Sequence, residues 1–183
     1  MRPIKEFSYY LVGSPFGKIA IVWQKAGRMA KVHRLYLPGI SVTSEAFAGK
    51  EFPGALPRGC PAVVKLGRQI QDFFAGKPVR FALANIAMEK CSAGQRQILM
   101  ANYSIPRGKV TTYKELAGTL GMNYRRGAQN VGNALKNNPF PIVFPCHRVI
   151  RSDGDAGEYQ GGSSMKRTLL EMEGVDMLPG TTR

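Results

Sequence analysis

The sequence predicts an α+β protein with a small N-terminal α/β domain, built on an antiparallel sheet, and a mostly helical C-terminal domain. Short runs of β-branched and aromatic residues around a glycine- and proline-containing turn fill the first part of the chain. Apolar residues at helical spacing dominate the second part. With 183 residues, 44% of them hydrophobic, the chain can bury one ordinary core or two small ones, and intrinsic disorder is excluded. We place the N-terminal domain at residues 1–85, a connector at 86–91 and the C-terminal domain at 92–183.

The N-terminal domain begins with a predicted hairpin. Its strands are residues 7–12 and 19–23, and the turn at 13–17 contains two glycines and a proline. Residues 27–37 are a candidate third strand. The stretch 41–61 is rich in glycine and proline, which predicts a loop with one helical turn near Glu45.

One helix is predicted after this loop. Pro61 suits a first helical position, and apolar residues recur at helical spacing until the Gly-Lys-Pro sequence at 76–78. The apolar stripe of this helix is expected to pack on the hairpin sheet.

Four helices are predicted in the C-terminal domain, at residues 92–103, 112–121, 125–137 and 163–173. Thr112 is a candidate N-cap for the second of them, and Gly174 stops the last. The second and third helices are short and joined by a turn that contains Gly121. This pattern is typical of a helix-turn-helix, whose second helix normally meets DNA.

The charge of the chain indicates a polyanionic partner. There are 26 Lys and Arg residues against 12 Asp and Glu residues, a formal net charge of +14. Residues 96–151 carry nine basic residues and one acidic residue, whereas residues 152–183 have a net charge of −3. Residues 1–85 carry a net charge of +9, so charge alone does not single out a DNA-binding half.

Several function classes are excluded by composition and spacing. The apolar runs are far shorter than the roughly 20 residues of a membrane-spanning helix, so no membrane association is expected. The N-terminus has no apolar signal core, which indicates a cytoplasmic protein. Three widely spaced cysteines without a C-x-x-C pair, and only two histidines, argue against a disulfide framework or a zinc site. We therefore expect no metal and no cofactor.

The stretch Pro-Cys-His-Arg-Val-Ile at 145–150 is the most informative part of the sequence. It follows the apolar segment 140–144, which predicts a buried strand that leads into a rigid turn. A base beside Cys146 would favour the nucleophilic thiolate. His147 is the next residue in the chain, but neighbouring side chains on a strand point to opposite faces, so adjacency does not bring the imidazole to the sulfur. From these residues alone, a structural cysteine and a nucleophile both remain open.

Four stretches in order carry a family resemblance. They are Val-Thr-Thr-Tyr-Lys-Glu-Leu-Ala at 110–117, Val-Gly-Asn-Ala-Leu-Lys-Asn-Asn-Pro at 131–139, the stretch at 145–150, and residues 157–174 with Gly-Glu-Tyr-Gln-Gly-Gly, Lys166 and Leu-Leu-Glu-Met-Glu-Gly. Together they resemble the O6-alkylguanine-DNA alkyltransferases, also called methylated-DNA-protein-cysteine methyltransferases. The resemblance covers the second half of the chain, and the first half is similar to the family's N-terminal domain only in outline.

The resemblance implies direct repair of DNA by a single-turnover transferase. A damaged base is flipped out of the duplex through the minor groove, and Cys146 attacks the alkyl carbon of O6-alkylguanine, leaving an irreversible thioether. O4-alkylthymine is an additional candidate substrate. His147 acts through a water as base for Cys146, and Glu173 orients His147. Asn138 orders the active-site turn, and Tyr113 donates to guanine N3.

The resemblance also implies the contacts to the substrate. Backbone carbonyls of Cys146 and Val149 accept from the guanine amino group, and the backbone amide near Gln160 donates to O6. Tyr159 walls the pocket, and Gly161 lies beside it. Gln160 stands where many relatives carry serine, which changes the shape of the O6 contact.

The implied DNA-binding residues lie on the two consecutive helices and beside Cys146. They are Thr112, Arg125, Arg126, Ala128, Gln129, Gly132, Leu135, Lys136 and Arg148. Small residues among them permit close approach to a narrow minor groove. The family usually has an arginine two residues before the Val-Gly pair, where this chain has Gln129. We expect Gln129, aided by Arg125 or Arg126, to fill the gap left by the flipped base.

We expect a transferase that acts as a cytoplasmic monomer on double-stranded DNA. Three alternative functions remain. An alkyltransferase-like protein binds alkylated DNA without repairing it and lacks the reactive cysteine, which is present here. A plain helix-turn-helix binding module would keep Cys146 for structural reasons. A cysteine hydrolase would need an oxyanion site, which the sequence does not reveal.

Overall fold

The described part of the chain contains six α-helices and six strands, in agreement with the predicted α+β class. The computed structural model describes residues 6–39 and 41–176. It divides into two compact units, Met1–Lys90 and Cys91–Arg183. Among the described helices, none is long and apolar enough to cross a bilayer.

The first unit is built on a four-stranded sheet of order β3-β2-β1-β4. The strands are β1 (Phe7–Ser14), β2 (Gly17–Ala26), β3 (Met29–Tyr36) and β4 (Leu56–Pro57). Strands β1, β2 and β3 pair antiparallel, whereas the short β4 pairs parallel to β1. Gly17 and Gly27 adopt φ values of 116° and 60° at the two turns, a conformation that glycine reaches without a steric cost. The predicted hairpin and third strand are confirmed.

Helices cover both faces of this sheet. Helix α1 (Ser44–Glu51) packs through Ala48 on the face that contains Ala20 and Val22, and helix α2 (Pro61–Phe74) approaches the opposite face through Gly67. A strand buried on both sides needs a continuous apolar run, which explains the sequence of β2. The helical turn predicted near Glu45 within the loop 41–61 is present, but it is longer than predicted, because α1 extends over two turns with Thr43 as its side-chain N-cap.

The second unit contains the remaining helices and a two-stranded parallel ladder. The elements are α3 (Ala93–Tyr103), β5 (Thr111–Thr112), α4 (Tyr113–Thr119), α5 (Tyr124–Lys136), β6 (Val149–Ile150) and α6 (Ser163–Met172). All four predicted helices are confirmed, and their ends differ from the prediction by at most two residues. Helices α4 and α5 are consecutive and pack on each other and on α3. Ser92 caps α3 by accepting from the Gln95 amide.

The segment 140–144 is buried as predicted, but the prediction of a strand there is wrong. The Phe144 amide donates to the Phe140 carbonyl at 2.9 Å, so the segment closes on itself as a turn. Ile142 has a φ of 72°, in the left-handed region that a β-branched residue rarely adopts. The segment reverses direction before Cys146, and this places the cysteine at the end of a compact apolar loop.

Gly67 tests the packing of α2 on the sheet. A Cβ atom at Gly67 would lie 2.9 Å from Val12 Cγ2 and 3.1 Å from Tyr10 Cε1. We therefore expect Gly67→Ala to lower the free energy of unfolding by about 1–3 kcal/mol through overpacking. Gly49→Ala is the matched control in α1. A Cβ atom at Gly49 would meet no neighbouring atom within 4 Å, and alanine stabilises a helix by up to about 1 kcal/mol relative to glycine. Urea unfolding measures the free energy of unfolding of both variants. Equal changes in the two variants would contradict close packing at Gly67.

Candidate active site

Cys146 opens a single 3-10 turn, Cys146–Arg148, that two buried asparagines hold in place. Asn138 donates through Nδ2 to the Phe144 carbonyl at 3.0 Å and to the Cys146 sulfur at 3.2 Å. The Asn138 Oδ1 atom accepts from the Phe140 amide at 2.9 Å. Asn102 on α3 donates to the Pro145 carbonyl at 3.1 Å. Asn138 thus holds the sulfur directly, and Asn102 holds the backbone that precedes it.

His147 and Glu173 form a buried pair behind this turn. His147 Nε2 lies 3.0 Å from Glu173 Oε1, and neither side chain is exposed. Arg148 binds the same carboxylate with two nitrogens, at 2.8 Å each, and its third nitrogen donates to the Ile105 carbonyl at 2.6 Å. The carboxylate therefore joins the residue after the cysteine to the end of α6.

The pKa values of this pair define the proton positions. Burial alone would raise the pKa of Glu173, but hydrogen bonds from His147 and Arg148 outweigh it and lower the pKa to about 2. Burial lowers the pKa of His147 more than Glu173 raises it. Glu173 is consequently an ionised acceptor, so the neutral imidazole carries its hydrogen on Nε2 and keeps Nδ1 as its basic nitrogen.

The Cys146 thiol is not activated at rest. Burial raises its pKa, and the Asn138 amide and the Lys166 ammonium only partly oppose this. The cysteine is 4% exposed. A group with these properties stays protonated at neutral pH, so a nucleophilic role requires a base that removes the proton during the reaction.

Tyr113 is positioned by a capping box at the start of α4. The Thr112 side chain accepts from the Glu115 amide at 3.1 Å, and the Glu115 carboxylate accepts from the Thr112 amide at 2.8 Å. The β5–β6 ladder pairs Thr111 with Val149 and thereby sets this helix beside the cysteine turn. Burial raises the pKa of Tyr113, so its hydroxyl remains a hydrogen-bond donor.

A cavity of about 490 Å³ opens onto Cys146. This lies within the range of about 300–1,000 Å³ that small-ligand sites occupy. The cavity is also lined by six further residues that the sequence predicted as site residues, namely Tyr113, Gly132, Leu135, Lys136, Tyr159 and Gln160. The Tyr159 hydroxyl is buried and has no hydrogen-bond partner among the described residues. Gly161 lies just behind this wall, where a side chain would overlap Met165.

Two predicted DNA-binding positions need correction. Arg148 was expected to bind DNA, but its guanidinium is committed to Glu173 and Ile105 inside the protein. Leu135 is 5% exposed and forms pocket wall, so its side chain offers little surface to DNA. The Val149 carbonyl already accepts from Lys166 Nζ at 2.6 Å, which leaves one lone pair for a substrate amino group.

The other predicted DNA-binding residues lie along α4 and α5. Arg126, Gln129 and Lys136 are exposed, and Ala128 and Gly132 are half-buried beside a shallow depression next to the pocket. The Thr112 hydroxyl is occupied by its capping bond. The side chain of Arg125 lies outside the described part of the chain.

Lys166 is the main site residue to which the sequence assigned no role. Its side chain is buried, its ammonium lies 5.8 Å from the centre of the Tyr113 ring, and burial lowers its pKa to about 8. The signal in the sequence is a lysine on the apolar face of α6, next to Met165 and one turn before Leu169 and Leu170. Glu158 and Arg151 at the pocket were also missed, because exposed charged residues give no such signal.

The role of Arg148 can be tested by stability. We expect Arg148→Ala to lower the free energy of unfolding by about 3 kcal/mol, because it leaves the buried Glu173 carboxylate without its bidentate partner. Arg167→Ala removes an exposed ion pair with Asp155 and should cost less than about 1 kcal/mol. Urea unfolding at neutral pH compares the two variants, and a small, equal loss in both would refute the role given to Arg148.

Known proteins similar to this chain share a common name. The family profile described as 6-O-methylguanine DNA methyltransferase, DNA binding domain, matches residues 93–175. The methylated-DNA-protein-cysteine methyltransferase of Methanothermobacter thermautotrophicus is 48% identical over 116 residues, which are 63% of this chain and 64% of that protein. This chain thus spans less than two thirds of that relative's length.

Two relatives of the same name align over most of the chain. The protein of Rattus norvegicus is 31% identical over 185 residues, covering 96% of this chain and 86% of the relative. The protein of Methanosarcina barkeri is 32% identical over 168 residues, covering 90% and 96%.

Solved structures give the same result. The Mycobacterium tuberculosis O6-methylguanine methyltransferase has a TM-score of 0.73 and 26% identity, covering 91% of this chain and 92% of that chain. The OGT of the same organism in complex with DNA has a TM-score of 0.69 and 28% identity over the same shares. The resemblance seen in the sequence is confirmed. Because the alignments at 31% and 32% identity extend over nearly the whole chain, the protein belongs to the methylated-DNA-protein-cysteine methyltransferase family.

Proposed function

We propose that this protein repairs DNA by transferring an alkyl group from O6 of guanine to Cys146. The observation that carries the proposal is the buried, hydrogen-bonded sulfur of Cys146 at a cavity of about 490 Å³, followed directly in the chain by a histidine that is paired with a carboxylate. The names of the relatives, and the structure of a similar protein with DNA, support the same activity.

The transfer is a displacement in which the carbon–sulfur bond forms as the carbon–O6 bond breaks. His147 takes the thiol proton through a water, and the ionised Glu173 stabilises the resulting imidazolium. The electron pair of the broken bond stays on the guanine. Tyr113 donates to guanine N3 as the ring gains electron density, since its hydroxyl is protonated and lines the pocket.

The product is a thioether, which is a poor leaving group, so each molecule acts once. No group of three or more His, Cys, Asp or Glu residues able to hold a metal occurs in the described ranges. The protein is consumed in the reaction, and its amount sets the number of bases that it repairs.

Binding to duplex DNA is independent of sequence and uses α4 and α5 as a helix-turn-helix. The exposed basic side chains of Arg126 and Lys136 on α5 supply phosphate contacts, and Ala128 and Gly132 let the α5 backbone approach the minor groove. The protein acts as a monomer. Its three free cysteines fit a cytoplasmic location.

Intact-mass analysis tests the transfer. After incubation with a duplex that contains O6-methylguanine, the protein should gain one methyl group in place of one proton, and Cys146→Ser should gain none. Cys60→Ala is the matched control at a half-buried free cysteine and should be methylated like the wild type.

The same experiment separates the alternatives. Tight binding of the duplex without any change in mass would favour an alkyltransferase-like or helix-turn-helix binding module and overturn the proposal. Repeated release of product from unmodified protein would favour a hydrolase instead.

Gln129 is proposed to fill the space left by the flipped base. It lies exposed on α5, one turn before the half-buried Gly132 and the exposed Asn133 at the pocket. A polar side chain in the stack stabilises the extrahelical base and offsets part of the cost of unstacking.

We expect Gln129→Ala to slow methyl transfer from duplex DNA by about fivefold, the effect of about 1 kcal/mol of lost stabilisation. Transfer from a single-stranded oligonucleotide should not change, because no stack needs filling. Asn130→Ala is the matched control on the same helix. A wild-type rate on duplex substrate would remove Gln129 from this role.

A further inference from the structure

The shallow depression beside the Cys146 pocket shares a rim with it. Tyr113, Gly132 and Arg151 line both the pocket and the depression. A base that is flipped into a pocket stays bonded to its sugar, and the phosphodiester of that nucleotide remains outside. The depression therefore adjoins the place where the backbone of a flipped nucleotide lies.

Two basic side chains reach the depression because the β5–β6 ladder carries them there. Thr112 pairs with Ile150 at the end of the two parallel strands. Arg151 follows Ile150 directly, and Lys114 follows Thr112 by two residues. Both are exposed, and both line the depression. Pairing of two short strands thus brings together two positive charges that are 37 residues apart in the sequence.

The stem of Arg151 lies beside the phenol of Tyr113. A Cβ atom at Gly157 would lie 3.5 Å from Arg151 Cγ and 3.5 Å from the Tyr113 hydroxyl oxygen, so both side chains pass the same glycine. Burial raises the pKa of Tyr113, and the charge of Arg151 partly opposes this rise. The guanidinium is therefore attached at the rim, next to a residue that lines the pocket.

The Arg151 guanidinium is paired with Asp153. Arg151 Nε lies 3.4 Å from Asp153 Oδ2, and the two side chains are 61% and 60% exposed. An ion pair with this exposure contributes little to stability, so another anion can replace the carboxylate. Asp153 Oδ1 also accepts from the Asp155 amide at 3.1 Å, and this bond keeps Asp153 in its turn when the guanidinium leaves.

The neighbouring acidic side chains are paired with other cations. Asp155 lies 3.2 Å from Arg167, and Glu158 lies 3.1 Å from Lys136. Asp153 is thus the acidic partner that an incoming anion has to displace from Arg151. A guanidinium presents N–H donors in a planar fork that matches two phosphate oxygens, and the ammonium of Lys114 adds a second positive charge.

We propose that Arg151 and Lys114 bind the phosphodiester of the flipped nucleotide, and that Arg151 exchanges Asp153 for this phosphate when DNA binds. The inference rests on the proposed alkyl transfer. The two cations hold the nucleotide by its backbone while the base occupies the pocket. Asp153 opposes DNA binding, because its pair with Arg151 has to break first.

Neutral phosphate analogues test this site. One duplex contains O6-methylguanine and normal phosphates, and two others carry an uncharged methylphosphonate on the 5′ or the 3′ side of the lesion. The second-order rate of methyl transfer is measured for each duplex with the wild type and the variants. Arg96→Ala is the matched control for Arg151→Ala, because it removes the same charge at an exposed position of α3.

We expect Arg151→Ala to slow transfer from the normal duplex by about tenfold, corresponding to about 1.4 kcal/mol for a lost bond to a charged group. With one of the two methylphosphonate duplexes it should react as fast as the wild type, since the analogue has already removed the contact. Lys114→Ala should show a smaller loss that disappears with the same analogue. Arg96→Ala should change the rates of all three duplexes by one common factor.

The exchange with Asp153 is tested separately. Asp153→Asn keeps an acceptor for the Asp155 amide but removes the charge, so transfer from the normal duplex should become about twofold faster. A slower reaction would overturn the exchange. An equal loss in Arg151→Ala with all three duplexes would overturn the phosphate site. A wild type that takes up no methyl group from the normal duplex would instead overturn the proposed function.

Discussion

The ionised carboxylate of Glu173 is the interaction on which the rest of the second unit depends. A buried carboxylate is tolerated only where charged or hydrogen-bonding partners surround it. Glu173 has His147 and Arg148 on one side and the Gly108 amide at 3.4 Å on the other. It thereby holds together the cysteine turn, the loop after α3 and the end of α6, three segments that are distant in the sequence.

The carboxylate also decides which chemistry the turn can perform. Because Glu173 stays ionised far below neutral pH, it fixes one tautomer of His147 and leaves a basic nitrogen on a ring that burial keeps neutral. The same burial keeps the Cys146 thiol protonated until it is used. The buried rings of Phe140 and Phe144 strengthen both effects, since they lower the local dielectric constant around the turn.

Local signals in the sequence were sufficient for most of the fold. Helix ends follow from caps such as Thr112 and Ser92, whose partners lie three residues away. The conformation of 140–144 did not follow, because a positive φ at Ile142 has no sequence signal and is imposed by the packing around it. Arg148 was misplaced for a related reason. A basic residue next to a DNA-binding surface indicates a phosphate contact, and its true partner, Glu173, lies 25 residues away.

The capping box of α4 connects helix formation to the orientation of a pocket side chain. Tyr113 is the first residue of that helix, so the bonds between Thr112 and Glu115 that start the helix also aim the phenol into the pocket. Glu115 is exposed and touches no part of the pocket, yet the direction of the phenol O–H depends on it. Fraying of one helical turn would therefore misalign the Tyr113 hydroxyl, while the sulfur would stay in place because Asn138 holds it and Asn102 holds the preceding backbone. The sulfur of Cys146 and the hydroxyl of Tyr113 are thus anchored by separate local structures that can fail independently.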